Sequence, residues 1–209
     1  MTDQTARISP FIDAAMALLE QHATEVMALD QAIGDGDHLI NLQRGLQALQ
    51  AEAATLDSLD WPTALQKTGQ IVMTQVGGAS GSLYATLFLA MGRTLKDQPP
   101  DRLHWAQAFA DGVEAARQRG KSAEGDKTLM DVWIPVARVL EQAARENWPT
   151  PSLCQQINEA AAQGCEATRD RVATRGRASF LGERAIGHID PGARTSQLLL
   201  QAITAGISA

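Results

Sequence analysis

Few cysteines and few aromatic residues set the first limits on this sequence. Only two of its 209 residues are cysteine, and aromatic residues make up 4%. Cys154 and Cys165 are eleven positions apart. On one helix they would lie about 16 Å from each other, beyond the reach of a disulfide. A chain without a disulfide framework is typical of the cytoplasm, which is the compartment that the sequence predicts.

Long apolar runs and an excess of basic residues are also missing. No apolar stretch approaches the roughly 18 to 20 residues that span a bilayer, and the N-terminus lacks the pattern of a signal peptide. Asp and Glu number 24 against 18 Lys and Arg, which gives a net charge of −6. An acidic chain without a basic stripe is a poor candidate for nucleic acid. We therefore expect neither a membrane nor a nucleic acid as partner.

Runs of β-branched residues are scarce, whereas alanine and leucine recur at three- and four-residue spacing. This pattern predicts an all-α protein. No linker-like segment divides the chain, so we expect one domain over residues 1–209. Eight helices are predicted: Ser9 to about Leu29, His38–Leu56, Asp60–Val76, one carrying Leu83–Met91, Asp101–Gly120, Thr128–Glu146, Ser152–Val172, and one from Asp190 through Ile207. Pro135 is expected to kink the sixth helix or to split it.

The connections between the predicted helices differ in composition according to their order. Similar helices joined by mostly short connections suggest an up-and-down antiparallel bundle, in which the odd-numbered connections share one end. All of the unusual loops are odd-numbered: 30–37, 77–81, 120–127 and 173–189. The even connections are plain turns. Loops carried on rigid elements are the usual place for a functional site, so we expect one at this end.

The first of these loops is rich in carboxylates. Asp30, Asp35 and Asp37 fall within eight residues, and glycines at 34 and 36 let the backbone turn tightly between them. A hard divalent cation would offset their mutual repulsion, and Mg²⁺ suits carboxylates together with phosphate oxygens. The helix that follows offers an N-terminus that favours an anion. The alternative is an acidic helix start on a solvated surface.

The other loops carry weaker signals. Glycines around Ser80 allow a ligand to approach the backbone, or they make a tight turn between helices. The residues from 120 to 128 nearly spell a P-loop, but Asp126 interrupts the Gly-Lys pair and no strand precedes it, so we reject that interpretation. Lys127 is then a surface lysine or a substrate contact, and of the two we expect a solvated lysine. Arg175, Arg177 and Arg184 suit bidentate phosphate contact or form a solvated loop.

Taken together, these stretches resemble the nucleotide-binding L subunits of dihydroxyacetone kinases. The matching stretches, in chain order, are 33–38 (Ile-Gly-Asp-Gly-Asp-His), 77–81 (Gly-Gly-Ala-Ser-Gly), 125–128 (Gly-Asp-Lys-Thr), 176–179 (Gly-Arg-Ala-Ser), 181–184 (Leu-Gly-Glu-Arg) and 187–193 (Gly-His-Ile-Asp-Pro-Gly-Ala). They spread along nearly the whole chain. The resemblance implies an eight-helix antiparallel barrel with a nucleotide held in the loops at one end.

The resemblance also implies a ligand set. It places two Mg²⁺ ions on Asp30, Asp35 and Asp37, bridging to the diphosphate of tightly bound ADP or ATP, and it assigns no catalytic side chain beyond this site. The implied nucleotide contacts are His38, Leu39, Ile40, Asn41, Ala79, Ser80, Gly120, Leu129, Arg177, Asp190, Pro191 and Gly192. Leu39 departs from the family, which commonly has glycine there. Leucine rarely takes a positive φ, so we expect the local phosphate contact to shift.

The chain begins at its own first helix, so among these kinases it resembles the phosphoenolpyruvate-dependent, three-component systems. That resemblance implies that bound ADP is phosphorylated by a phosphotransferase-type subunit and that the γ-phosphate passes to dihydroxyacetone on a separate K subunit. A homodimer is left open. Two alternatives remain: a kinase subunit for another acceptor, such as a tetrose or a fatty acid, and a non-catalytic helical adaptor or regulator.

Overall fold

The computed structural model describes residues 6–208. Within that range the chain is 77% helical and has no β-strand, which confirms the predicted all-α class. The helices are α1 Ser9–Gln21, α2 Ala23–Ile33, α3 His38–Ala51, α4 Ala53–Asp57, α5 Trp61–Gln75, α6 Gly78–Thr94, α7 Arg102–Gly120, α8 Met130–Glu146, α9 Thr150–Ala167, the 3₁₀ helix η1 Arg177–Ala185, and α10 Pro191–Ser208. None of these helices is long and apolar enough to cross a bilayer.

The long helices pack in an order that closes on itself. Helix α1 packs on α3, and α3 packs on α5. Each α-helix from α5 to α9 packs on the next one in the chain, and α10 packs back on α1. Helix α2 extends from α1 and contacts α3, α10 and η1, and α4 extends from α3. A closed order leaves one shared interior, so the apolar stripes of the helices face a common core.

The predicted count of eight helices is not confirmed, because within residues 6–208 the first two predicted helices are each divided. The first breaks at His22, whose ring pairs with Glu25 at 2.9 Å, and the second breaks at Glu52. Ser9 is the first residue of α1, as predicted. Its hydroxyl and backbone N–H both donate to Asp57, which joins the start of α1 to α4.

The core is centred on aromatic and aliphatic side chains inside the closed order of helices. The Trp133 ring is 2% exposed and meets the Tyr84 ring edge-on, with 4.9 Å between the ring centroids. The Tyr84 hydroxyl lies 2.8 Å from the Ser196 hydroxyl, and burial raises the pKa of Tyr84 to about 12. Cys154 and Cys165 are buried and free, as their spacing predicts.

Glycines let the helices approach closely at the end that carries the unusual loops. A methyl group on Gly81 would lie 2.1 Å from the Val76 carbonyl oxygen, and one on Gly45 would lie 2.1 Å from a Val76 methyl. No heavy atom fits at such distances, so glycine is required at both positions. The connection between α5 and α6 therefore shrinks to Val76 and Gly77, shorter than the predicted 77–81 loop.

Other predicted boundaries also need correction. Helix α7 ends at Gly120 as predicted, but the left-handed residue is the following Lys121, with φ of 49°. Helix α8 begins at Met130 and continues through Pro135, so the proline does not split it. Helix α9 is shorter than predicted and ends at Ala167.

The segment predicted as a long loop over 173–189 contains the 3₁₀ helix η1. A second, small apolar cluster holds it in place: Ile33, at the end of α2, packs with Ala173, Ala178 and Ala185, and Leu181 packs against them. Because Ile33 lies between Asp30 and Asp35 in the chain, this cluster fixes η1 beside the carboxylates.

Candidate functional site

Three carboxylates meet where α2 ends and α3 begins. Asp30 lies in the last turn of α2 and is 4% exposed, whereas Asp35 and Asp37 lie in the connection and are exposed. One oxygen from each lies within 4.8 Å of the others. Three like charges so close repel one another, and an oxygen-only donor set of this kind fits a hard cation such as Mg²⁺. The sequence prediction that the three form one cluster agrees with this geometry.

Two local features hold Asp30 in the cluster. Its Oδ2 accepts the backbone N–H of His38 at 2.9 Å, which ties the end of α2 to the start of α3. Its Oδ1 lies against Gly34, where a methyl group would come within 1.9 Å. Glycine at 34 is therefore required for the carboxylate to occupy this position.

The His38 ring joins the starts of three helices. Its Nε2 lies 2.9 Å from the Thr195 hydroxyl in the first turns of α10, and its Nδ1 lies 3.4 Å from the Ser80 hydroxyl at the start of α6. Burial lowers the pKa of His38, against the opposing effect of the Asp30 charge. A neutral ring can donate from one nitrogen and accept at the other, so it can pair with both hydroxyls.

The helix N-termini beside the carboxylates differ in how they are capped. Neither Asp37 nor Gly77, the cap residues of α3 and α6, caps its own helix with a side chain, although Asp30 accepts the N–H of His38 at the start of α3. Helix α10 is capped, because Asp190 Oδ2 accepts the N–H of Ala193 at 2.7 Å. Uncapped N–H groups and the helix dipole favour an anion. The starts of α6, at Gly78–Ser80, and of α3 would therefore favour an anion beside the three carboxylates.

The side chains of the first turn of α3 point in different directions. Leu39 is helical and 3% exposed, so its side chain belongs to the core, and it does not take the positive φ that raised concern. Ile40 is 57% exposed. Asn41 is buried and accepts from Arg44 at 2.8 Å, while Arg44 Nε donates to the Gln75 carbonyl. These last bonds fix the turn at the end of α5.

The remaining predicted nucleotide residues lie on the neighbouring loops. A methyl group on Gly192 would lie 3.8 Å from Leu129 Cβ, so the starts of α8 and α10 are adjacent. Gly120 faces Leu83 of α6 at 3.1 Å by the same measure. Pro191 is buried. Burial raises the pKa of Asp190 to about 7, helped by the nearby Asp131 charge and opposed by its backbone hydrogen bonds and Lys127.

Arg177 reaches the acidic loop. Its guanidinium forms an ion pair with Asp35 at 2.9 Å, although 70% of the arginine side chain is exposed. Arg175 instead donates to the Lys121 carbonyl at 2.7 Å, which ties 173–176 to the loop after α7. Within the described residues Arg184 has no ion pair. The loops predicted to share one end are therefore in direct contact.

Lys127, predicted to be solvated, is 1% exposed. Its ammonium donates to the Thr168 carbonyl at 2.7 Å and to the His188 carbonyl at 2.5 Å. Next to it, buried Asp131 accepts the N–H groups of Gly125 and Thr128 at 2.7 and 2.8 Å. Sequence reasoning misjudged Lys127 and missed Thr195, because their partners lie more than 40 residues away in the chain. It also missed Asp131.

Two cavities lie away from the carboxylate cluster. One of about 420 Å³ opens between α7 and α8 and is lined by Arg117, Glu124 and Arg138 among others. Another of about 170 Å³ is lined by Trp61 and Trp105, whose rings meet edge-on at 5.1 Å, and it includes the connection between α6 and α7. Neither includes the carboxylate cluster. At the cluster itself Asp35, Asp37 and Arg177 are exposed, whereas Asp30 is buried.

Comparison with known proteins identifies relatives of this chain. A family model described as the DAK2 domain matches residues 32–205. The chain is 43% identical over 175 residues to the PEP-dependent dihydroxyacetone kinase 1, ADP-binding subunit DhaL, of Listeria innocua, covering 84% of this chain and 83% of that protein. It is 36% identical over 174 residues to the PEP-dependent dihydroxyacetone kinase, ADP-binding subunit DhaL, of Escherichia coli, covering 83% of each.

A solved structure shows the same fold. The crystal structure of the dihydroxyacetone kinase from C. freundii in complex with AMP-PNP and Mg²⁺ matches with a TM-score of 0.74 and 24% identity. The match covers 95% of this chain and 33% of that one. The present chain thus corresponds in fold to about a third of that kinase.

Proposed function

The chain belongs to the DAK2 domain family, and from this membership we propose that it is the ADP-binding subunit of a phosphoenolpyruvate-dependent dihydroxyacetone kinase. The observation that carries the proposal is the meeting of three carboxylates with the N-termini of α3 and α6, whose cap residues make no side-chain cap bond. One group binds cations and the other binds anions, so the pair suits a metal–phosphate ligand. Residues 1–209 would act as one nucleotide-binding domain.

We assign the ligands as follows. Asp30, Asp35 and Asp37 hold two Mg²⁺ ions, and the N–H groups at the starts of α3 and α6 donate to phosphate oxygens of ADP or ATP. Arg177 supplies a planar guanidinium suited to a phosphate. The other nucleotide contacts are His38–Asn41, Ala79, Ser80, Gly120, Leu129 and Asp190–Gly192. Bound Mg²⁺ would neutralise the charge on phosphate oxygens during transfer.

The partners follow from the same proposal. A phosphotransferase-type subunit would rephosphorylate the bound ADP, and a K subunit would present dihydroxyacetone to the γ-phosphate. The relatives named above are called subunits of a PEP-dependent kinase, which supports an activity that needs further chains. A tetrose or fatty-acid acceptor and a purely structural adaptor are not favoured, because those names give dihydroxyacetone and a kinase.

The test is to measure nucleotide and metal in the purified native protein. We expect native mass spectrometry to find ADP and Mg²⁺ on the wild type, and Asp35→Asn to lose both together. The variant should also melt lower, because ligand at a hundred times its Kd stabilises the folded state by about 2.7 kcal/mol.

Asp97→Asn is the matched control, since it makes the same replacement on an exposed residue outside the site. It should retain the ligands and the melting temperature. Stoichiometric Mg–ADP on desalted Asp35→Asn would show that the acidic loop is not the metal site.

A further inference from the structure

Lys127 is the one buried lysine among the described residues, and it occupies an unusual backbone conformation. Its φ is 61°, in the left-handed region that side-chain-bearing residues seldom adopt. Its ammonium donates to the carbonyl oxygens of Thr168 and His188, with a longer contact of 3.4 Å to that of Arg169. A strained backbone and a buried charge at one residue both oppose folding, so their combination calls for a role beyond filling space.

The carbonyl groups that Lys127 contacts belong to two different segments. Thr168 and Arg169 follow the C-terminal end of α9, and His188 lies in the turn that leads into α10. Two further bonds connect the same segments: the N–H of Asp190 donates to the Thr168 hydroxyl at 3.0 Å, and the N–H of Gly187 donates to the Arg169 carbonyl at 2.8 Å. Lys127 adds a third segment, the loop before α8, to this junction.

The junction leads directly to the start of α10, which supplies proposed nucleotide contacts. Asp190 caps α10, and Thr195, one turn further on, contacts the His38 ring. On the other side, Leu129 follows Lys127 by two residues and lies against Gly192. The Lys127 ammonium therefore connects the loop before α8 to the 187–190 turn, and both of these lie beside the start of α10.

We propose that Lys127 is a positioning residue for nucleotide binding. By tying the end of α9, the 187–190 turn and the loop before α8 together, it fixes the start of α10 and, through Thr195, the orientation of the His38 ring. This inference rests on the proposed function for the nucleotide, although its effect on His38 does not require a ligand. Lys127 itself contacts backbone oxygens and takes no part in the chemistry.

The test compares Lys127→Met, which keeps the length of the side chain but removes the charge, with the wild type. Two quantities are measured: the imidazole nitrogen resonances of His38 in nucleotide-free protein, and the Kd for Mg–ADP by calorimetry. We expect the His38 resonances to shift and the Kd for Mg–ADP to rise at least tenfold. Wild-type resonances and a wild-type Kd in folded Lys127→Met would overturn the proposal.

A matched pair of variants keeps the test decisive if Lys127→Met does not fold. Thr168→Val removes the hydroxyl that accepts the Asp190 N–H, and Thr168→Ser retains it. We expect Thr168→Val to alter the His38 resonances and to weaken Mg–ADP binding. Thr168→Ser should behave like the wild type in both measurements. Equal behaviour of the two variants, both like wild type, would contradict it.

A destabilised control separates positioning from a general loss of stability. Asp57→Asn weakens the contact of α4 with the start of α1, which lies outside the site. It should therefore lower the melting temperature without shifting the His38 resonances or the Kd for Mg–ADP.

If the wild type itself fails to bind Mg–ADP, the proposed function is wrong, and the His38 resonances alone then decide whether Lys127 positions α10.

Discussion

At the scale of single residues, Arg177 has a partner that sequence reasoning did not anticipate. Its guanidinium pairs with Asp35, which is also a proposed metal ligand. A cation at Asp35 and the guanidinium would compete for the same carboxylate, while a phosphate near the metal would attract the guanidinium. Arg177 is therefore expected to oppose binding of metal alone and to favour binding of metal with nucleotide.

Replacing Arg177 should thus change two affinities in opposite directions. Arg177→Gln is expected to bind Mn²⁺ alone several-fold more tightly, because a neighbouring positive charge is gone, and to bind Mg–ADP at least tenfold more weakly. Arg177→Lys keeps the charge but loses the planar fork, so its affinity for Mg–ADP should fall as well. Calorimetric titrations measure both quantities.

Arg184→Gln serves as the control, because Arg184 is an exposed arginine of the same 3₁₀ helix without an ion pair in the described chain. It should leave both affinities unchanged. If Arg177→Gln behaves in the same way, Arg177 is a solvated arginine and leaves the site.

Asp190 makes stability depend on pH. Its pKa is raised to about 7, so between about pH 4 and pH 7 the folded state holds a proton that the unfolded state has lost. Raising the pH through this window therefore lowers the free energy of unfolding. Relative to Asp190→Asn, which stays neutral, the ligand-free wild type should lose about 3 kcal/mol between pH 5 and pH 8, at about 1.4 kcal/mol per unit.

Urea unfolding of both proteins at the two pH values measures this difference. Asp97→Asn, at an exposed position, should show little change with pH relative to wild type. A difference between wild type and Asp190→Asn that stays constant from pH 5 to pH 8 would mean that Asp190 does not titrate in this window.

At the scale of elements, the sequence predicts the helical class and most of the long helices, because apolar spacing follows the buried face. It does not predict the breaks at His22 and Glu52, since the apolar spacing continues across both. The 3₁₀ helix η1 was also missed. It is stabilised by a small cluster with Ile33, a contact about 150 residues away that no local pattern reveals.

In the candidate site, too, the sequence predicts what one local segment carries and misses contacts between distant segments. Asp30, Asp35 and Asp37 could be grouped from the sequence because one short loop carries them, and glycine at 34 and 36 permits the turn. The partners that orient the loop are distant in sequence, so Thr195 and Lys127 came only from the fold. Lys127 was misjudged because lysine is rarely buried without a paired carboxylate.

The close packing of α5 and α6 gives a prediction about these elements. In Gly81→Ala the new methyl group would overlap the Val76 carbonyl oxygen, so the helices must separate. We expect a loss of about 1 to 3 kcal/mol in the free energy of unfolding, the usual cost of overpacking. The start of α6 should shift with it, and Mg–ADP binding should weaken.

Denaturant unfolding and calorimetry test this together. Ser82→Ala, the adjacent position in α6, removes only a local bond to the Ala79 carbonyl and should change stability by less than about 0.5 kcal/mol. Unchanged stability in Gly81→Ala would mean that the α5–α6 connection is more adaptable than its geometry indicates.

At the scale of the whole molecule, the closed order of helices brings the unusual loops into contact with one another. Asp35 and Arg177 join the acidic loop to η1. Lys127 and His188 join the loop before α8 to the turn before α10. The two cavities lie outside the carboxylate cluster. A nucleotide bound at the exposed carboxylates would have one side facing outward, toward whatever docks there.

The exposure of the site has a consequence for activity. Phosphoryl transfer to a small substrate needs that substrate held in place and water kept away, and an exposed surface does neither without a covering protein. We therefore expect the purified chain to bind Mg–ADP but to show no turnover of free dihydroxyacetone with ATP. Addition of a dihydroxyacetone-binding subunit and a phosphotransferase donor, with phosphoenolpyruvate, should produce dihydroxyacetone phosphate in a coupled assay. Asp35→Asn in the complete mixture should be inactive, which ties the product to this chain. Rapid phosphorylation of free dihydroxyacetone by the chain and ATP alone would instead make it a self-sufficient kinase, with an acceptor site of its own.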